Sequence, residues 1–192
     1  MIDSLLAIIR QTIDVSETEC ELIAMLFTEK VYKKGSFFLS EGDVCKQVGF
    51  ICSGLVRYYI NDEGEDKTYY FSQENEFVCN YESFVPQQPS KQNIQALEDC
   101  IMLVISYNDL QTFYRNLKNG DRFGRLVIEQ VFIKTLQELN SFYTDPADLR
   151  YQKFISEHLD LQQRIPQYYI ASFVGVKPQS LSRIRKKYLL HK

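Results

Sequence analysis

Gln179 and Arg183 stand four residues apart with Ser180 beside the first, so on a helix the three side chains share one face. An Arg can donate two parallel hydrogen bonds to guanine O6 and N7, a Gln amide can pair with adenine N6 and N7, and a Ser hydroxyl can serve a base edge or a phosphate. Lys177, Arg185, Lys186 and Lys187 surround them with charge suited to phosphates, which adds affinity but little sequence information. The 29 residues from Arg164 to Lys192 hold seven Lys or Arg and no Asp or Glu, leaving 15 basic against 25 acidic residues in the rest of the chain. A positive end on a negative body points to a polyanion, double-stranded DNA first, with an acidic protein partner as the alternative.

Those side chains need a helix with a buried back. Leu181, Ile184 and Tyr188 recur at i, i+3 and i+7 from a start at Lys177-Pro178, which leaves Gln179, Ser180, Arg183 and Lys187 on the other face. Just before them, Ile165, Ile170, Phe173 and Val174 form a second apolar stripe, opened by Pro166 and closed by Gly175 where a left-handed residue ends a helix. Two short helices around a glycine turn are the layout of a helix-turn-helix, whose second helix (about Pro178–Lys187) enters the major groove. A basic helix at a C-terminus can also be a merely solvated one favoured by the helix dipole. The turn glycine, the paired apolar faces and the missing acids together favour the DNA-reading form.

The remainder reads as an α+β chain. Residues 1 to about 30 carry two amphipathic helical stripes, Leu5, Leu6, Ile8, Ile9 and Ile13, then Leu22, Ile23, Leu26 and Phe27 after a Ser16/Glu19 capping box. From Val31 to Ile105 the period falls to about two, and strands are expected at Phe37–Leu39, Val48–Cys52, Leu55–Ile60, Lys67–Phe71, Glu76–Asn80, Gln92–Leu97 and Ile101–Ile105. Such spacing predicts an antiparallel jelly-roll-like β-roll rather than a parallel sheet. Helices return from Tyr107 to about Leu117, from about Asp121 to Tyr143, and from Ala147 to about Leu161. The long one is apolar over more than one stripe and must be covered on two sides: one can be its own roll, and the other either a second copy of the helix in a two-fold dimer, with Phe123, Val127 and Val131 on the dimer face, or the rest of the same chain. Thr144-Asp145-Pro146 ends it and supplies a hinge. The expected division is 1–120 for the N-terminal helices and sensor-like roll, 121–144 for the dimerisation helix and hinge, and 145–192 for the helix-turn-helix.

Several chemistries find no support. The five cysteines (Cys20, Cys45, Cys52, Cys79, Cys100) show no CxxC pair and read as buried free thiols, and the two histidines, His158 and His191, lie outside the strand region. A cupin-like metalloenzyme would need His on the strands, so no metal, cofactor or enzymatic activity is expected. No apolar run reaches the length of a membrane span and no signal-peptide pattern opens the chain, so a soluble cytoplasmic protein without membrane association is expected.

This order of parts resembles the Crp/Fnr family of bacterial transcription regulators, in the version common in Bacteroidetes. The resemblance rests most on Ile165-Pro166-Gln167, Ile170-Ala171-Ser172-Phe173-Val174-Gly175-Val176 and Ser180-Leu181-Ser182-Arg183-Ile184-Arg185-Lys186. Glu41-Gly42-Asp43 and Ser53-Gly54-Leu55-Val56-Arg57 are similar to turns of the family's cyclic-nucleotide-binding roll. It implies a homodimer joined by the long helix, two recognition helices on half-sites about one DNA turn apart, RNA polymerase as a further partner, and Gln179, Ser180 and Arg183 at the base-contacting positions. Family members that bind cyclic AMP carry a Gly-Glu pair and a later Arg-Ser or Arg-Thr pair. Here those places fall on Phe77–Tyr81 and Ser90–Gln92, so Asn80, Tyr81, Ser90 and Lys91 line a degenerate pocket. Asn80 offers no carboxylate, and Lys91 is a point charge without the guanidinium fork that fits a phosphate. Cyclic AMP is therefore not the expected effector, and an unknown small molecule takes its place if any does. The family's iron-sulfur and haem sensors do not match these Cys and His positions. The chain is also expected to lack the family's β-hairpin wing, leaving Arg185, Lys186 and Lys187 to supply more of the phosphate binding.

Overall fold

The computed structural model describes residues 1–189, an α+β chain of two four-stranded antiparallel sheets and flanking helices. Helix α1 (Ile2–Thr12) buries Leu5, Leu6 and Ile9 on one face. Helix α2 (Glu17–Leu26) starts at the expected capping box: the Ser16 amide donates to Glu19 Oε2 at 2.9 Å, and the Glu19 amide donates back to Ser16 Oγ at 3.3 Å. Instead of running on to about residue 30, the helix stops at Leu26. Strand β1 (Thr28–Tyr32) follows and pairs antiparallel with β8 (Cys100–Ser106) from Thr28↔Val104 to Tyr32↔Cys100. Pairing with β8 satisfies backbone groups along the edge of that strand, which another helical turn would leave open.

The other strands are β2 (Phe37–Leu39), β3 (Gln47–Ser53), β4 (Val56–Asp62), β5 (Glu65–Ser72), β6 (Phe77–Val78) and β7 (Asn93–Ala96). One sheet runs β1-β8-β3-β6 and the other β2-β7-β4-β5. Phe50, Ile51, Leu55, Ile94, Met102 and Ile105 are almost completely buried. Gly54 turns the chain between β3 and β4 at φ 112°, and a Cβ there would stand 2.7 Å from the Cys100 Cα, so the turn demands glycine twice over. Strand β6 is shorter than the sequence suggests because Asn80 caps a one-turn helix, α3 (Tyr81–Phe84).

Helix α4 (Tyr107–Asn116) leads to the long α5 (Gly120–Thr144), then come α6 (Ala147–Glu157), a 3₁₀ turn (Leu159–Gln163), α7 (Gln167–Val174) and α8 (Pro178–Leu189). The sixth helix is shorter than expected, and the 3₁₀ turn takes over its last residues. Two compact units result. One comprises Met1–Tyr59 with Phe71–Gln130, and the other comprises Ile60–Tyr70 with the chain from Val131 onward. In the first, Phe123 is buried against Phe77 and Phe113, with ring centroids 6.0 and 5.8 Å away. Phe123 therefore covers its own roll, which corrects its assignment to a dimer face; the aromatic pocket beside it takes the ring. Val127 is half-buried and Val131 is 53% exposed.

Candidate nucleic-acid interface

In the second unit, α6, α7 and α8 share a small core. Tyr151, Phe154 and Ile155 of α6, Leu161 and Ile165 of the connection, Ile170, Ala171 and Val174 of α7 and Leu181 of α8 are all buried. Phe154 packs on Phe173 at 5.3 Å, and Tyr151 meets Tyr188 edge-on at 6.0 Å. Gly175 closes α7 in the left-handed conformation, φ 74° and ψ 38°, with its amide donating to the Ser172 carbonyl at 3.0 Å and the Val176 amide to the Ala171 carbonyl at 2.9 Å. That turn points α8 back across α7 and sets which of its faces is free.

The free face carries Lys177, Gln179, Arg183, Lys186 and Lys187, all exposed, with Ser180 half-buried beside them. Arg185 is half-buried and hydrogen-bonds the Tyr151 phenol; burial pushes that phenol's pKa up and Arg185 pulls it partly back. Lys187 Nζ lies 3.5 Å from Asp148 Oδ2. The seven candidate DNA contacts thus all sit on α8 or at its start, with Arg185 and Lys187 also engaged by α6.

Two anchors were not visible in the sequence. Arg150 donates from Nε to the Val174 carbonyl at 2.8 Å and from Nη1 to the Asp145 carbonyl at 2.6 Å and the Phe142 carbonyl at 3.3 Å, and its guanidinium lies 5.1 Å from the Phe142 ring centre. One side chain thereby ties the end of α5, the hinge and the end of α7. Only its place four residues after Pro146 could have hinted at that. Ser172 of α7 takes the Thr68 amide at 2.8 Å and donates to the Asp66 carbonyl at 3.0 Å, holding the tip of the β4–β5 hairpin.

The residues expected to line a degenerate pocket lie in the first unit. Asn80, only 3% exposed, donates from Nδ2 to Ser90 Oγ at 2.9 Å and to Gln92 Oε1 at 2.8 Å, while its Oδ1 accepts from the Ser83 amide at 2.9 Å. Ser90 Oγ also donates to the Gln92 carbonyl and accepts from the Gln92 amide, both at 2.9 Å. The polar groups here bond one another. Tyr81 and Lys91 are exposed rather than drawn into that network.

Among the described residues no group of three His, Cys, Asp or Glu could hold a metal ion, and no helix is long and apolar enough to cross a membrane.

The geometry has counterparts. Residues 29–117 match the cyclic nucleotide-binding domain. No curated protein matches in sequence. Among solved structures, FixK2 from Bradyrhizobium japonicum superposes with TM-score 0.74 at 14% identity over 86% of this chain and 85% of its own. The c-di-GMP responsive global regulator CLP of Xanthomonas campestris gives 0.71 at 14% over 92% and 93%. A regulator assigned to the crp/fnr family from Eubacterium rectale gives 0.71 at 17% over 93% and 85%. At these identities the likeness establishes the fold, a roll with long C-terminal helices as in Crp/Fnr regulators.

Proposed function

We propose that the chain is a dimeric, sequence-specific DNA-binding transcriptional regulator of the Crp/Fnr type rather than an enzyme, acting in the cytoplasm with α8 in the major groove. The observation that carries this reading is the face of α8: Gln179, Arg183, Lys186 and Lys187 are exposed while Leu181, on the opposite side, is 1% exposed. A helix packed on one side and basic on the other, following a left-handed glycine turn, can lie in a groove with its amide and guanidinium on base edges. Gln179, Ser180 and Arg183 are assigned the bases. Lys177, Arg185, Lys186 and Lys187 are assigned the phosphates, with Arg185 also braced on Tyr151.

Dimerisation belongs to the same reading. On the second half of α5, Phe132, Leu136, Leu139 and Tyr143 follow a four-three-four spacing and are 61%, 42%, 50% and 79% exposed. That is the seam of a two-stranded coiled coil, and it lies further along the helix than Phe123. Two copies joined there present two recognition helices, as a palindromic operator requires. RNA polymerase is the further partner that a regulator of this kind would meet on a promoter. For the roll we propose no response to cyclic AMP, because Asn80, Ser90 and Gln92 satisfy one another where a phosphate would need a cation, and no cofactor is assigned.

Footprinting on the DNA upstream of the protein's own coding sequence tests the assignment. Protection of two segments about 34–36 Å apart, one turn of DNA, is expected. Uniform coating, or no protection at any protein concentration, would overturn it.

A further inference from the structure

The chain spacing of the cysteines gives no hint of a pair, yet Cys45 and Cys79 meet with their sulfurs 4.0 Å apart. Cys45 sits in the loop before β3, and Cys79 sits between β6 and the Asn80 cap of α3. The site is held on several sides. The Cys45 amide donates to Ser83 Oγ at 2.9 Å, the Gln87 amide side chain donates to the Cys45 carbonyl at 3.2 Å, and Cys45 Sγ lies 3.4 Å from the Gln47 carbonyl. Cys45 is 2% exposed and Cys79 is half-buried, so the pair is largely enclosed.

From this geometry we infer that Cys45 and Cys79 form a redox-active dithiol, oxidised by hydrogen peroxide to an intramolecular disulfide that pins the β2–β3 loop to α3. The sulfurs must close by roughly 2 Å to reach the disulfide bond length of about 2.05 Å, a movement within reach of side-chain rotation and a small loop shift. The two thiols have different parts. The hydrogen bond from Cys79, then the backbone of Asn80 and Gln47, brings Cys45 down to about 7 against the opposing effect of burial. Burial, then its bond to the Cys45 sulfur, pushes Cys79 well up. Cys45, the thiol the more easily ionised, is assigned the attack and Cys79 the resolving part.

In the first step the Cys45 thiolate attacks one peroxide oxygen. The O–O bond breaks, the departing hydroxide takes up a proton as water, and Cys45 becomes a sulfenic acid. In the second step Cys79 gives up its proton and attacks the Cys45 sulfur. The S–O bond breaks, and the leaving hydroxide combines with that proton as a second water. Two thiols are oxidised and one peroxide is reduced to two waters. Hydrogen peroxide, barely larger than water, is the oxidant suited to so enclosed a pair. A dithiol reductant reverses the bond, as suits a sensing disulfide in a reducing compartment.

The full chain, fully reduced, is treated with one equivalent of hydrogen peroxide and its thiols are counted after denaturation. The expected result is a fall from five thiols to three, a mass loss of about 2 Da for one disulfide, and a proteolytic fragment in which Cys45 is joined to Cys79. Dithiothreitol should restore all five. C79S should stop at a sulfenic acid on Cys45 that dimedone labels, and C45S should leave Cys79 unreacted. The proposal is overturned if all five thiols persist, if the bonds formed link two chains or involve Cys20, Cys52 or Cys100, or if C45S oxidises Cys79 as readily as the unmodified chain. The peptide map needs no variant, so a misfolded substitution would not leave the question open, and neither arm depends on DNA binding.

Discussion

Arg183 and Lys186 lie one turn apart on α8, both exposed, and under the proposed function the first meets a base and the second a phosphate. Arg183→Ala removes a bidentate donor to a base, so binding to the preferred site should weaken by about 1–3 kcal/mol while random DNA is held nearly as before. Lys186→Ala removes a phosphate contact, so every DNA should weaken alike and the dependence on salt should flatten by about one charge. Parallel titrations of the two variants check this; equal losses on both DNAs from both substitutions would contradict the division. At Asn80 the amide already has its donors and acceptor placed within the protein. Titration calorimetry with cyclic AMP should therefore give no binding heat, and sub-millimolar binding would contradict that. The residues of α8 were legible in the sequence because their apolar period and Gly175 fix which face is free. The Arg150 tie and the Cys45–Cys79 pair were not, because each joins segments whose approach is set by the fold and leaves no local pattern.

At the scale of elements, α5 carries two testable features. Its exposed stripe should be a seam between copies, so Leu136→Asp should turn a dimer into a monomer and lower DNA affinity at least tenfold, since a lone recognition helix loses the second half-site. Sedimentation of the unmodified chain and the variant reads the first effect, and a monomeric unmodified chain would contradict it. Beside that stripe, burial raises Glu138 from its ordinary 4.5 to about 7, opposed by Lys134 and aided by Glu157. The folded chain holds the Glu138 proton more tightly than the unfolded one, so the contribution of this group to stability is full below about pH 4.5 and is lost as pH rises through 7. With the partial exposure allowed for, the loss is on the order of 2 kcal/mol. Glu138→Gln should therefore raise Tm by a few degrees at pH 8 and leave it nearly unchanged at pH 4, and thermal melts at the two values decide it. The period of α5 announced a helix covered on two sides, but not which residues face inward. Phe123 turned to its own roll because an aromatic pocket of Phe77 and Phe113 awaited it. Strand β1 was read as the tail of a helix for a related reason: its partner β8 lies far along the chain, and no period within Thr28–Tyr32 reveals that pairing.

Across the whole molecule the charge is divided: the last 29 residues hold seven basic residues and no acid, and the rest is strongly acidic. Such a chain should approach DNA by its basic end alone, with the acidic remainder opposing closer wrapping. Order and composition made the α+β plan, the roll and the helix pair readable from the sequence. How the hairpin tip at Asp66 and Thr68 comes to be held by Ser172 of α7 was not, since it depends on two backbone groups and one hydroxyl. Under the proposed function α8 reads bases and does not merely carry charge. Fluorescence anisotropy of the full chain with its own upstream DNA and with random DNA of equal length, from about 50 to 200 mM salt, distinguishes the two. Both affinities should fall steeply as salt rises, while the upstream DNA stays tighter by at least about a thousandfold. Equal affinity for the two DNAs at every salt concentration would contradict it.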